Sequence, residues 1–254
     1  MGKYLKLFEN HTQYETFIGG GGDTPFIKPN VSHCITENEV HYNPYIQYEK
    51  IDLGLPSGNL WSSCNVGSKY PWENGLYFAW GETQGYTAEQ IVGDALPHKN
   101  FSKEDYTGPT TQLSTLTPDL DAATVNMGAE WVTPNPNDCD ELFNNVIVNP
   151  VIIEGVTALK LTSKINGKSI ILPSCGNYNN GEKYNENYIE FYTSNASWMG
   201  SNNELYNAST VIGINNETSG EITLGRSELW NPRAGTTGTN VRGIIKGKKI
   251  RMTL

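Results

Sequence analysis

Any chemistry on this chain has to come from a short inventory of groups. Glu182, Glu186 and Glu190 are candidates for an acid and base pair acting across a glycosidic bond, although spacing along a chain does not fix separation in space. Asp138, Asp140 and Glu141 form a second acidic cluster, and such oxygens bind calcium when a glycine-containing loop spaces them. No such loop surrounds them, and the positive end of a helix dipole explains acidic residues there. His11, His33, His41 and His98 all precede the main helical segments, and no GxSxG, HExxH or P-loop spacing is present. Cys34, Cys64, Cys139 and Cys175 are scattered without a CxxC pair, so no zinc site is expected. A disulfide from Cys64 to Cys139 or Cys175 would need oxidising surroundings, and buried thiols are the default expectation. The reading is therefore of a protein that is not an enzyme and that needs no cofactor or metal.

What remains is recognition chemistry. Tyr184, Tyr188, Trp198, Asn202, Asn203, Tyr206 and Trp230 are the candidate ligand-binding residues, set among further Asn, Ser and Gly. Stiff amphipathic rings beside short amides are what recognition loops use, the rings stacking on sugar faces and the amides pairing with hydroxyls. The competing reading is that tyrosine and tryptophan fill the core of a loop-rich fold. Trp61 and Trp80 sit in apolar runs between rigid turns and are assigned to the core, as is Trp131 from the family-like block over residues 121–143.

Composition narrows the partners. Of 254 residues 37% are hydrophobic and 18% charged, with 14 Tyr and 6 Trp supplying bulk that Leu and Ile usually supply. The net charge of −9, from 27 acidic against 18 basic residues, argues against a nucleic-acid partner, which requires a clustered basic footprint. Arg242, Lys246, Lys248, Lys249 and Arg251 fall close together and are expected on a solvated terminal hairpin over residues 241–254. No apolar run reaches the length of a bilayer span, and no secretory signal opens the chain, so no membrane association is expected. The Asn-x-Ser/Thr sequons, such as those at Asn100 and Asn195, are taken as chance products of an Asn-rich chain.

Two modules must position these groups. Residues 1–48 hold a strand-like run (4–8), a short helix after Thr12, the tetraglycine of Gly19 to Gly22, and pieces broken by Pro29 and Pro44. That is too little apolar material to fold alone, so the segment is read as an anchor that orders against a partner or against copies of itself. From residue 49 onward the main domain begins with Gly- and Pro-punctuated aromatic runs (51–83), followed by a long polar excursion (84–118). Short helices are predicted over 119–127 and 134–146, the second capped by Asn135 or Asn137. Strands are predicted at 146–148, 151–153 and 158–162, and Asn166-Gly167 marks a hairpin within 165–172.

Four ordered blocks then point to a family. Residues 52–68 (DLGLPSGNLWSSCNVGS), 77–83 (YFAWGET), 121–143 (DAATVNMGAEWVTPNPNDCDELF) and 167–176 (GKSIILPSCG) resemble the Fibrobacter succinogenes major paralogous domain. The resemblance implies an α+β, C-type lectin-like fold: a twisted antiparallel sheet, two short helices and long loops. It covers roughly residues 50–176. Further on, Phe191 to Asn195 (FYTSN) stands where the family shows a Tyr-Trp-Ser block. The N-terminal segment, with KYLKLFENHTQYETFI, KPNVSHC and NEVHYNP, is similar to the opening of virion proteins in crAss-like phages of Bacteroidales.

Together these resemblances imply a virion structural protein, a head-fibre or tail-fibre component. Residues 1–48 would contact other virion proteins, and the lectin-like domain would attach to a host-surface glycan or protein. They also imply a homo-oligomer, with a trimer favoured, assembled in host cytoplasm and released by lysis. The alternatives are a Bacteroidales cell-surface adhesin and a virion decoration protein without a ligand.

Overall fold

The computed structural model describes residues 48–109, 113–197, 207–216, 221–227 and 236–247. The expected anchor, its glycine joint and the end of the terminal hairpin lie outside them. Among the described residues the elements run β1 (Lys50–Asp52), β2 (Leu60–Asn65), α1 (Ala88–Val92), α2 (Ala122–Met127), α3 (Pro136–Asn144), β3 (Val146–Ile153) and β4 (Val156–Ser163). They continue through β5 (Ser169–Pro173), β6 (Asn177–Asn179), β7 (Glu182–Tyr184), β8 (Tyr188–Ser197), β9 (Asn207–Asn216), β10 (Glu221–Ser227) and β11 (Arg242–Ile245). The fold is α+β, with mostly antiparallel strands and few helices.

Strand β2 is the centre of the first sheet, with β1 on one side and β11 on the other, so the two ends of the described chain meet on it. Trp61 faces Ile51 across one ladder and Ile244 across the other. The arrangement corrects the expectation that Arg242 is solvated, while the second half of the expected terminal hairpin lies outside the described residues. Residues 242–245 are needed to complete this sheet, and Arg242 is wholly buried, not solvated. Its guanidinium donates to the Ser62 carbonyl at 3.2 Å and to the Ile171 carbonyl. Burial without a described carboxylate partner pulls its pKa down to about 10.

The meander β3-β4-β5 buries one face, although exposed Asn149 and Pro150 adjoin in β3 and buried Ala158 and Leu159 adjoin in β4. Val146, Leu159, Leu161, Ile170 and Leu172 point inward and join Leu53, Trp61, Leu142 and Phe191 in the largest apolar cluster. Burying a side chain of this size contributes about 2 kcal/mol. The β3–β4 turn is Glu154-Gly155, both at positive φ (49° and 79°), as a two-residue hairpin requires. With Ile153 and Val156 closing that turn, the alternation of bonded and non-bonded pairs turns the nitrogen of Pro150 outward. Pro150 therefore interrupts nothing, and residues 146–153 form one strand where two fragments were expected.

Both predicted helices are present, shorter than drawn. Asp121 caps α2 through Ala123 N (2.9 Å) and holds Thr133 by its N (2.9 Å) and Oγ1 (2.6 Å). Asn135 and Asp138 cap α3 reciprocally at 3.0 and 2.7 Å. Trp61, Trp80 and Trp131 are all buried, as their setting suggested. Tyr48, at the border of the expected anchor, packs edge-on against Trp131 with ring centroids 6.2 Å apart.

The long polar excursion is tethered from inside. Lys99 and Glu82 are both buried and paired at 2.9 Å, and Lys99 Nζ also donates to the Asp105 carbonyl at 2.6 Å. Glu82 in turn accepts from Thr107 N and Oγ1. The Asp105 carboxylate gathers the backbone N–H groups of Asn100, Phe101 and Ser102 at 2.7, 3.1 and 2.7 Å. A segment with few apolar side chains is thus fixed by charge-assisted hydrogen bonds.

Candidate functional site

The carboxylates considered for catalysis differ in setting, with Glu186 exposed. Glu190 is buried and accepts from Asn177 Nδ2 at 2.7 Å, whereas Glu182 sits at the surface and accepts from the Tyr184 hydroxyl at 2.8 Å. That hydrogen bond also pushes the Tyr184 pKa up. The acidic cluster of α3 is structural in a wider sense than helix electrostatics. Asp138 accepts from Asn59 Nδ2 at 2.9 Å and pairs with Lys246, while Glu141 accepts from Ser57 N (2.8 Å) and Oγ (2.5 Å). These contacts bind the β1–β2 connection to the helix. Among the described residues no group of three His, Cys, Asp or Glu side chains is placed to hold a metal ion, and no helix is long and apolar enough to cross a membrane.

Cys64, Cys139 and Cys175 are buried. Cys64 is a free thiol, in keeping with the default expectation, and neither pairing considered for it, with Cys139 or Cys175, is formed. Burial pushes the thiols of both Cys64 and Cys175 up, the latter to about 12, although Arg242 opposes the shift in each. His98 is exposed, with Nε2 2.9 Å from Asn100 Oδ1; the other histidines lie outside the described residues.

Of the residues assigned to ligand binding, Tyr184 lies exposed at the end of β7 and Tyr188 half-buried at the start of β8, opposite Ile214. Trp198, Asn202, Asn203, Tyr206 and Trp230 lie outside the described residues. The region read as recognition loops carries strands: β6 to β10 fall in it, and Tyr192 is buried against Trp80.

Two surface features escaped sequence reasoning. One is a stacked pair, Tyr70 on Trp72, with centroids 4.9 Å apart and planes 3° from parallel. Lys69 Nζ lies 4.7 Å from the Tyr70 centroid, and Glu73 fixes the turn by accepting from Lys69 N and Tyr70 N.

The other is a groove of about 550 Å³ where residues 115–118, the start of α3 and the end of β8 converge. Its walls are tied to each other. Leu116 N donates to Ser194 O at 2.8 Å, Ser194 N to Pro134 O at 2.9 Å, and Asn195 Nδ2 to Thr115 Oγ1 at 3.2 Å. Strand β8 loses register with β9 between Tyr192 and Ala196, which releases residues 193–195 from that ladder to make these contacts. Thr115 and Asn195 are far apart in sequence, and nothing in the sequence pairs them. The sequence marks Asn135 and Asn137 as cap candidates and residues 121–143 as a family-like block, but not that they form a wall of a groove.

Comparison with protein-family models, characterised proteins and solved structures yields no match to this chain. The reading of its surface rests on the geometry and on the residues themselves.

Proposed function

We propose that this chain is a virion structural protein, a head-fibre or tail-fibre component, whose C-type lectin-like domain attaches to a host-surface glycan. Residues 1–48 fasten it to other virion proteins in this reading, and copies of the chain associate with one another. The observation that supports binding over catalysis is where the acidic side chains are spent. Glu73, Glu82, Asp105, Asp121, Asp138 and Glu141 all hold loop or helix-start amides by short hydrogen bonds. Carboxylates committed in this way give a surface whose loops are ordered before a ligand arrives, which lowers the entropic cost of binding.

The test has two parts. Virus particles purified from the source culture should contain this chain by mass spectrometry, and soluble chain added to host cells should slow adsorption of those particles. Its absence from the particles overturns the virion reading. Presence together with unimpeded adsorption leaves decoration without a ligand as the function.

A further inference from the structure

We propose that the groove between residues 115–118, the start of α3 and the released end of β8 seats an uncharged oligosaccharide. The inference rests on the glycan-binding reading above and gives it a location. Four observations carry it. First, the concavity of about 550 Å³ falls in the size range of small-molecule sites, and it is built from three segments distant in sequence. A chance dimple between neighbouring turns would not need the cross-ties that Leu116, Ser194 and Asn195 provide.

Second, its charges are already balanced. Asp121 is saturated by the amides of Ala123, Thr124 and Thr133 and by the Thr133 hydroxyl. Lys246, at the rim, is paired with Asp138. An acidic sugar finds no unpaired cation here and a basic peptide no unpaired carboxylate, so a neutral ligand is favoured.

Third, the lining mixes two chemistries at short range. Leu116, Pro118, Val132 and Pro136 present carbon, while Asn137 and Asn195 present amides. A pyranose offers the complement, with C–H faces and a ring of hydroxyls. Asn137 is exposed and its side chain makes no hydrogen bond among the described residues. Its backbone N–H is also one of the donors that a helix start leaves unpaired.

Fourth, the register break in β8 coincides with the groove. Giving up ladder bonds at residues 193–195 is unfavourable unless the strand gains other partners, and such breaks re-aim side chains next to sites.

The experiment uses the full chain and a panel of neutral trisaccharides built from glucose, mannose, galactose or xylose, with galacturonate and sialylated counterparts. Binding is read by isothermal titration calorimetry for the wild type, Asn137→Trp, Asn137→Ala and Tyr184→Ala. Because Asn137 is exposed, the tryptophan fills the groove without entering the core, and circular dichroism verifies the fold.

The expected result is binding of at least one neutral member, weakened about tenfold or more by Asn137→Trp and less by Asn137→Ala; tenfold corresponds to about 1.4 kcal/mol. If Asn137→Trp binds as well as the wild type, or if only Tyr184→Ala loses affinity, the groove is overturned while the glycan reading stands. Binding of acidic members alone overturns the neutral assignment. If no member binds, the inference falls, and adsorption of particles then judges the wider reading separately. Should Asn137→Trp instead shift the sedimentation coefficient of the chain, the groove joins copies of the protein and the inference is overturned.

Discussion

The loop around Lys99 and the meander of β3, β4 and β5 reach order by opposite routes. The meander uses the backbone: each strand completes its neighbour's ladder, and the alternating apolar face drives Leu159, Leu161 and Ile170 into the core. The loop has no ladder to lean on. It is held by one buried ammonium, one buried carboxylate and the Asp105 side chain. Stability in the meander is spread over many small terms, whereas in the loop it is concentrated in a few atoms. Concentration makes the loop brittle, because a lost partner strands a charge away from water.

That contrast is best broken at Glu82. Glu82→Ala should cost about 3–5 kcal/mol, since buried Lys99 then keeps the Asp105 carbonyl, a distant carboxylate and the faces of Tyr86 and Phe101 but no close counter-ion. The double change Glu82→Leu with Lys99→Met should recover most of that loss, as both charges leave together. Urea unfolding measures each; a single-variant loss below about 1 kcal/mol would mean the pair is effectively solvated and the contrast false. In the meander, Leu161→Ala should cost about 3 kcal/mol through the cavity it leaves, with no change in the urea m-value.

Alkaline pH sharpens the comparison elsewhere in the core. The Cys175 thiol is held up to about 12 by burial, so the folded state keeps a proton that the unfolded chain loses near its ordinary value. Its contribution is intact below that ordinary value and disappears as pH rises towards 12. The raised hydroxyls of Tyr77, Tyr86 and Tyr106 act in the same sense, and the lowered Arg242 acts against them. The net expectation is a loss of about 1 kcal/mol between pH 8 and pH 10, read from urea midpoints.

Smaller effects test the hairpin end of the meander. Gly155→Ala should cost about 1 kcal/mol, because φ is +79° there although nothing lies within 4 Å of the added Cβ. Ile152→Thr should change stability by less than about 0.5 kcal/mol, its side chain being 77% exposed.

Local signals were legible and distant ones were not. Asn135 announced its helix because a cap acts within three residues of itself, whereas the cap at Asp121 was not singled out. Asn166-Gly167 marked the loop between β4 and β5, although Ile165 lies in that loop and not in a strand. The Glu154-Gly155 turn passed unseen, since glutamate is an uncommon residue at positive φ. Strands β8, β9 and β10 gave little warning because Asn, Ser and Thr do not produce a strong alternation, and their pairing is fixed by ladders closed at long range. The Glu82–Lys99 pair was hidden within a stretch whose composition looked solvated. The groove was least legible of all, because its walls come from residues about 80 apart that meet only through long-range hydrogen bonds.

Pro150 has a consequence beyond its own strand. An outer rim with a free row of amides invites an identical chain to zip onto it, and the hazard grows with local concentration. A ring nitrogen with no hydrogen, set midway along that rim, leaves such a zipper one tooth short. Molecules crowded side by side can then touch along this border without fusing into a continuous ribbon.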